Sequence, residues 1–233
     1  MGSVLRVPES PEPMKIGDRV HLDPEESLKS EVNHNIPETT EAGDSGPAAD
    51  PNGYIEPHTH KHTYRKIQEW SLEVRKEALV IGDSNLARIP RFTHAKIQVD
   101  SYPGATFHHI SSILKKLPPH PQVTHLIISA GINNCLQEQE PTTTWKQLQQ
   151  LLKTAHITFP KANIHVPIIN FSLALPDKKR ALITKLNNTI AHKCNFLPEI
   201  NQLLFSTVPG DPVHWTPETA SQILKYWASQ LNW

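Results

Sequence analysis

Ser84 and His214 are far apart in the chain, yet the residues around each suit them to one reaction. A serine hydroxyl is a weak nucleophile until a base takes its proton, and histidine titrates in the range where it can do so. Ser84 lies in Gly82–Asp83–Ser84–Asn85–Leu86, directly after an apolar run and where a helix should start. Backbone N–H groups at such a start can stabilise a developing oxyanion. His214 lies in Asp211–Pro212–Val213–His214–Trp215–Thr216–Pro217–Glu218. Asp211 stands three residues before it, placed to accept the other imidazole N–H and so fix the tautomer. Two more turns offer oxyanion donors. In Pro103–Gly104 the glycine lets a backbone N–H approach a substrate, and in Gly131–Ile132–Asn133–Asn134 the Asn133 amide can point at the same oxygen. Singly, each has a plainer reading as a turn or helix cap, with Thr216 as N-cap and Pro217 at the first helical position. Jointly they converge, because each falls at the carboxyl end of a strand or in the closing loop.

The elements that must position them read as alternating strands and helices. Ala78–Leu79–Val80–Ile81 is a continuous apolar run ending in Gly82, as in a buried parallel strand. Lys96 to Asp100, Val123 to Ser129 and Asn163 to Phe171 read as further strands, with Pro167 favouring a place near an edge. The loop AGINN follows the third. Leu203–Leu204–Phe205 reads as a fifth short strand. Helical spacing appears in Ile110, Ile113, Leu114 and Leu117, and in Trp145, Leu148, Leu151, Leu152 and Ala155. It recurs in Leu182, Ile183, Leu186 and Ile190, and in Ile223, Leu224, Trp227 and Leu231. Such alternation specifies a mainly parallel sheet covered on both faces, with the site at the carboxyl ends of its strands.

The set resembles the SGNH (GDSL-like) hydrolase family. Its blocks look like Gly82–Asp83–Ser84, Gly104, Gly131–Ile132–Asn133, and Asp211 with His214, over residues 77–232. The resemblance implies Ser84 as nucleophile, His214 as general base and then acid, and Asp211 as orienting carboxylate. It implies an oxyanion hole from the Ser84 and Gly104 N–H groups and the Asn133 amide. It also implies an α/β, flavodoxin-like three-layer sandwich of about five parallel strands. The family pattern has aspartate where Asn134 stands, a departure expected to affect loop geometry rather than chemistry. Few extra loops surround the site, so a shallow, weakly selective pocket is expected. More narrowly, GDSNLARIPRF, VDSYPGATF, SAGINN, KQLQQLLKTA, INFSLALP and HWTPETA resemble the esterase domains of proteins encoded by LINE-type retrotransposons. That implies a retroelement-derived reading frame and a nucleic-acid-packaging protein with an attached hydrolase.

Composition divides the chain. Residues 1–50 carry 11 acidic and 4 basic side chains, and no aromatic residue precedes Tyr54. Such a stretch cannot bury enough apolar surface to offset a chain entropy of roughly 1–2 kcal/mol per ordered residue. The expected organisation is a disordered acidic leader over 1–55, a linker over 56–76 and the hydrolase domain over 77–233. No signal peptide and no run of about 18 apolar residues is visible, so an intracellular, cytoplasmic protein without a membrane span is expected. Cys135 and Cys194 read as separate free thiols.

His58, His60 and His62 alternate with Thr59 and Lys61. Alternating imidazoles can bind transition metals, but no carboxylate or thiol cluster accompanies them in sequence, so a solvated linker without metal is the expectation. His108–His109, just beyond Gly104, read as surface residues of a helix, with a place for one of them on the rim of the substrate pocket as the alternative. Lys115–Lys116 and Lys178–Lys179–Arg180 are short clusters that can attract phosphate backbones or anionic lipid, and more simply are solvated faces. The preferred function is hydrolysis of acetyl or short-acyl esters, the substrate a lipid or another acetylated molecule, through an acyl-enzyme on Ser84 with no cofactor. The rival is a non-catalytic interaction or nucleic-acid-binding module that keeps the fold.

Overall fold

The computed structural model describes residues 53–233, so the expected leader lies outside the described residues except for its last three. Of those three, Ile55 forms an antiparallel bridge with Phe92. Six strands form one sheet in the order β1-β3-β2-β4-β5-β6: β1 (His58–Thr59), β2 (Ala78–Gly82), β3 (Ile97–Ser101), β4 (His125–Ser129), β5 (Asn163–Pro167) and β6 (Phe196–Leu197). Every pairing is parallel. The last five strands have the flavodoxin-like order, and β1 adds an edge beside β3.

The helices are α1 (Lys66–Glu69), α2 (Phe107–Leu114), α3 (Ile132–Leu136), α4 (Pro141–Thr158), α5 (Asp177–Lys193) and α6 (Pro217–Gln230). Alternation along the strands divides the core into two layers. Leu79, Ile81, Leu126 and Ile128 pack with Phe107, Ile110, Leu148 and Ile183 on one face. Val80, Val99 and Ile127 pack with Trp215, Ile223 and Trp227 on the other. Each such fully buried aliphatic side chain contributes about 1.5–3 kcal/mol relative to exposure. Among the described residues, no helix is long and apolar enough to cross a membrane.

Three expectations are corrected. Leu203–Leu204–Phe205 is not a strand. A 3-10 turn spans Gln202–Leu204, opened by the Asn201 side chain accepting from the Leu203 N–H, and Leu203 is 91% exposed. The fifth strand of the core sheet is instead Phe196–Leu197, held by Val166 and Pro167. Pro167 ends β5 where β4 pairing has already stopped, so its missing N–H leaves no ladder bond unmade. Residues 56–76, expected as a linker, supply β1 and bury Trp70 and Leu72 in the core. The expected loop AGINN is in part helical, because α3 begins at Ile132.

Candidate active site

The chain leaves β2 to form β3 on one side and then crosses to form β4 on the other. The carboxyl end of β2 therefore lies at the switch point of the sheet, where the flanking connections diverge and leave a crevice. Ser84 follows β2 by two residues. Three bonds tie its turn to both neighbouring strand ends. The Asp83 N–H donates to the Ser129 carbonyl (3.1 Å), the Tyr102 N–H to the Gly82 carbonyl (2.9 Å), and the Ser101 hydroxyl to the Asp83 carbonyl (2.9 Å). Gly82 is required by closeness, since a Cβ there would lie 1.9 Å from the Ser129 carbonyl oxygen.

Across the crevice, α6 starts as the sequence implies. The Thr216 hydroxyl accepts from the Thr219 N–H at 3.2 Å, and Pro217 takes the first helical position. That cap holds the preceding loop, and His214 Nε2 lies 3.0 Å from Ser84 Oγ. His214 Nδ1 lies 2.5 Å from Asp211 Oδ2, while Asp211 Oδ1 accepts from the Val213 N–H (2.9 Å) and the His214 N–H (3.2 Å). Desolvation pushes the Asp211 carboxyl up, but the imidazole and the two backbone donors outweigh it and hold it below the ordinary carboxylate range. An ionised carboxylate only accepts, so Nδ1 carries the proton and Nε2 is left to accept from the Ser84 hydroxyl.

Asn133 Nδ2 donates to the Ala105 carbonyl at 3.1 Å, tying the start of α3 to the Gly104 loop and leaving its second amide hydrogen uncommitted among the described residues. Gly131, before that helix, has φ +113°, and a Cβ there would lie 2.7 Å from the Phe107 ring. The Lys66 ammonium donates to the Gly104 carbonyl at 2.9 Å. Among the described residues, the N–H groups of Ser84 and Gly104 have no partner within the protein. Asn134 is fully buried. Its Oδ1 accepts from the Phe107 N–H (3.2 Å), and its amide donates to Gln139 (2.9 Å) and Gln147 (2.8 Å), so it ties α3 to the first residue of α2, to the loop before α4 and to α4 itself.

Two contributors escaped the sequence reading. Asn85 is buried and accepts from the Trp215 N–H at 2.9 Å, which joins the serine turn to the histidine loop. Its position in an ordinary cap pattern carried no signal for this. Asp83 is the other: desolvation raises its carboxyl to about 6, against the opposing pull of the Asn85 backbone N–H, the nearby His214 and the Asn85 side chain. The folded protein thus holds this proton to higher pH than the unfolded chain, so stability falls as pH rises through that interval. Asp83→Asn removes the burial of a charge. It should exceed the parent in stability by on the order of 3 kcal/mol at about pH 8, with the gap closing by about pH 4, as denaturant melts at both values would show.

Other sequence features take definite places. His109 is half-buried, not a surface residue: its Nδ1 accepts from the Thr106 N–H at 3.1 Å at the start of α2. Desolvation, with Lys66 and His108 nearby, lowers it to about 4. Lys116 donates to the Gln68 (2.8 Å) and Trp70 (2.7 Å) carbonyls, while Lys178 pairs with Glu138 and Arg180 with Asp177. Three of the five basic residues therefore have partners within the chain. Cys135 and Cys194 are free thiols.

No protein-family model matches the chain, and no curated protein matches it. Among solved structures it is similar to a protein described as a platelet activating factor from Streptococcus pneumonia, with a TM-score of 0.55 and 15% identity over 68% of this chain and 85% of that one. It is also similar to a protein described as an arylesterase from Agrobacterium tumefaciens, at TM-score 0.51 and 15% identity over 68% and 99% of the two chains. The native aryl esterase of M. Smegmatis matches at TM-score 0.50 and 16% identity, over 68% and 99%. At these identities the likeness is one of fold, and the fold is the α/β, flavodoxin-like parallel sheet expected from the sequence.

Proposed function

We propose that this protein is a serine esterase that hydrolyses acetyl or short-acyl carboxylic esters through an acyl-enzyme on Ser84. The observation that carries the reading is the unbroken line from Asp211 Oδ2 to His214 Nδ1 (2.5 Å) and from His214 Nε2 to Ser84 Oγ (3.0 Å). As Ser84 Oγ attacks the ester carbonyl, its proton passes to His214 Nε2, and Asp211 stabilises the imidazolium while holding the ring in place. The carbonyl oxygen becomes an oxyanion facing the Ser84 and Gly104 N–H groups and the free amide hydrogen of Asn133. The imidazolium then protonates the leaving alcohol. Water, deprotonated by the same imidazole, attacks the acyl-enzyme and restores the hydroxyl.

Similarity in fold to aryl esterases adds to this reading. Ser84 and His214 are part-exposed, which suits a shallow, open site with weak selectivity for the acyl group. The retroelement resemblance of the motif phrases adds an origin: the reading frame of a LINE-type element. Hydrolysis of p-nitrophenyl acetate by the purified chain tests the activity. Asn133→Ala should lower kcat roughly 10²–10³-fold, about 2.7–4 kcal/mol of transition-state stabilisation, with KM little changed. An unchanged kcat would remove Asn133 from the oxyanion site.

A further inference from the structure

No carboxylate or thiol cluster accompanies His58, His60 and His62 in sequence, yet the fold brings a buried carboxylate to two of them. Strand β1 pairs with β3 in the register His58↔Asp100 and Thr59↔Ser101. Paired residues of neighbouring strands share a face, and side chains two apart do so again. His58, His60 and Asp100 therefore project to one side, with the His60 N–H bonded to the Ser101 carbonyl at 2.9 Å. His58 Nδ1 lies 3.1 Å and His60 Nε2 3.2 Å from the same carboxylate oxygen, Asp100 Oδ1. The three potential donor atoms all lie within 4.8 Å of one another.

We propose that His58, His60 and Asp100 form a binding site for a first-row divalent metal ion, with Zn²⁺ the best-suited occupant. Around a tetrahedral zinc with bonds of about 2.0–2.1 Å, neighbouring ligand atoms sit roughly 3.3 Å apart, so both nitrogen-to-oxygen distances need little adjustment. Two imidazoles and one carboxylate are a donor set such ions accept, and they leave a fourth position for water.

The groups behind the donors are fixed as a metal site requires. Asp100 is 1% exposed, and its other oxygen accepts from Gln98 Nε2 at 2.7 Å. Gln98 is itself held, its Oε1 accepting from the Arg75 N–H at 2.8 Å. The His60 ring stacks on the fully buried Tyr102 at 4.0 Å and 10°, and the Tyr102 hydroxyl donates to the Ser71 carbonyl at 2.8 Å. The ion's role is structural. It clasps a two-residue edge strand to β3, and the stretch that follows Asp100 is the one Ser101 and Tyr102 tie to the serine turn. The site is independent of the esterase reading.

The test uses the full chain without a histidine tag, stripped with EDTA, and titrated with Zn²⁺ alone by calorimetry. A His58→Ala/His60→Ala double variant serves as the reference for the chain's other histidines. The expected result is one equivalent bound by the parent that the double variant binds at least tenfold more weakly. Co²⁺ should give the visible d–d bands of a low-coordinate nitrogen–oxygen site in the parent alone. Zn²⁺ should raise the melting temperature of the parent and not of His58→Ala, whose side chain is 38% exposed and can be removed without opening the core. Equal uptake by parent and double variant, or no uptake by the parent, would overturn the proposal.

Discussion

Ser84→Ala should reduce turnover of a short-chain aryl ester to background, a loss of about 10⁶-fold in kcat if the hydroxyl is the nucleophile. The side chain is part-exposed and its hydroxyl bonds only to His214 among the described residues, so its removal leaves the turn's backbone bonds in place. Melting temperature and circular dichroism should match the parent. Loss of activity without loss of fold separates chemistry from structure. Retention of the parent rate by a homogeneous Ser84→Ala preparation would exclude the acyl-enzyme.

Gly82→Ala should have the opposite signature, failing to yield folded protein at all. The added methyl would lie 1.9 Å from the Ser129 carbonyl oxygen and 3.1 Å from a Leu86 side-chain carbon. The first obstacle is backbone in the centre of the sheet, where β2 and β4 pair Gly82 with Ser129, so no rotamer change relieves it. Relief requires parting two central strands at the site itself. That costs several hydrogen bonds at about 1 kcal/mol each along with packing, against a typical total margin of about 5–15 kcal/mol. Soluble yield and a thermal melt read the outcome. A cooperative melt within a few degrees of the parent would show that the close approach is relieved locally.

The parts of this fold that can be read from sequence are those whose signals are local. Ala78 to Ile81 is a continuous apolar run bounded by charge and glycine, as a strand buried on both faces of a parallel sheet requires. Thr216–Pro217 announces the start of α6 because an N-cap and a fixed φ are single-residue properties. Strands β1 and β6 have two residues each, too few for any period to show, and both exist only because a longer neighbour holds them. The three apolar residues Leu203 to Phe205 imitate a strand, but Leu203 is 91% exposed, and the nearby Asn201 supplies turn chemistry instead.

The same division runs through the site. Ser84, Gly104 and Asn133 are legible as strand-end residues of suitable chemical type, and Asp211 and His214 as residues of the closing loop; Ser84 Oγ and His214 Nε2 lie 3.0 Å apart. The supports were not legible. Asn85 acts on a backbone N–H 130 residues away, and Lys66 reaches the Gly104 carbonyl from a segment that reads as linker. Asp100 meets His58 and His60 only through strand register. Contacts of that kind depend on the completed fold, and no window of sequence contains both partners.

The most direct test of the central claim is labelling of the full chain with a fluorophosphonate, followed by mass spectrometry of its peptides. An activated serine hydroxyl gives its proton to the base and attacks the phosphorus. The P–F bond breaks with loss of fluoride, and the phosphonyl group stays on the oxygen, so the adduct marks the nucleophile itself. The account predicts one adduct on the peptide containing Ser84, absent in Ser84→Ala and formed far more slowly in His214→Ala. A folded parent chain that stays unlabelled, or that carries its adduct on another residue, would contradict it.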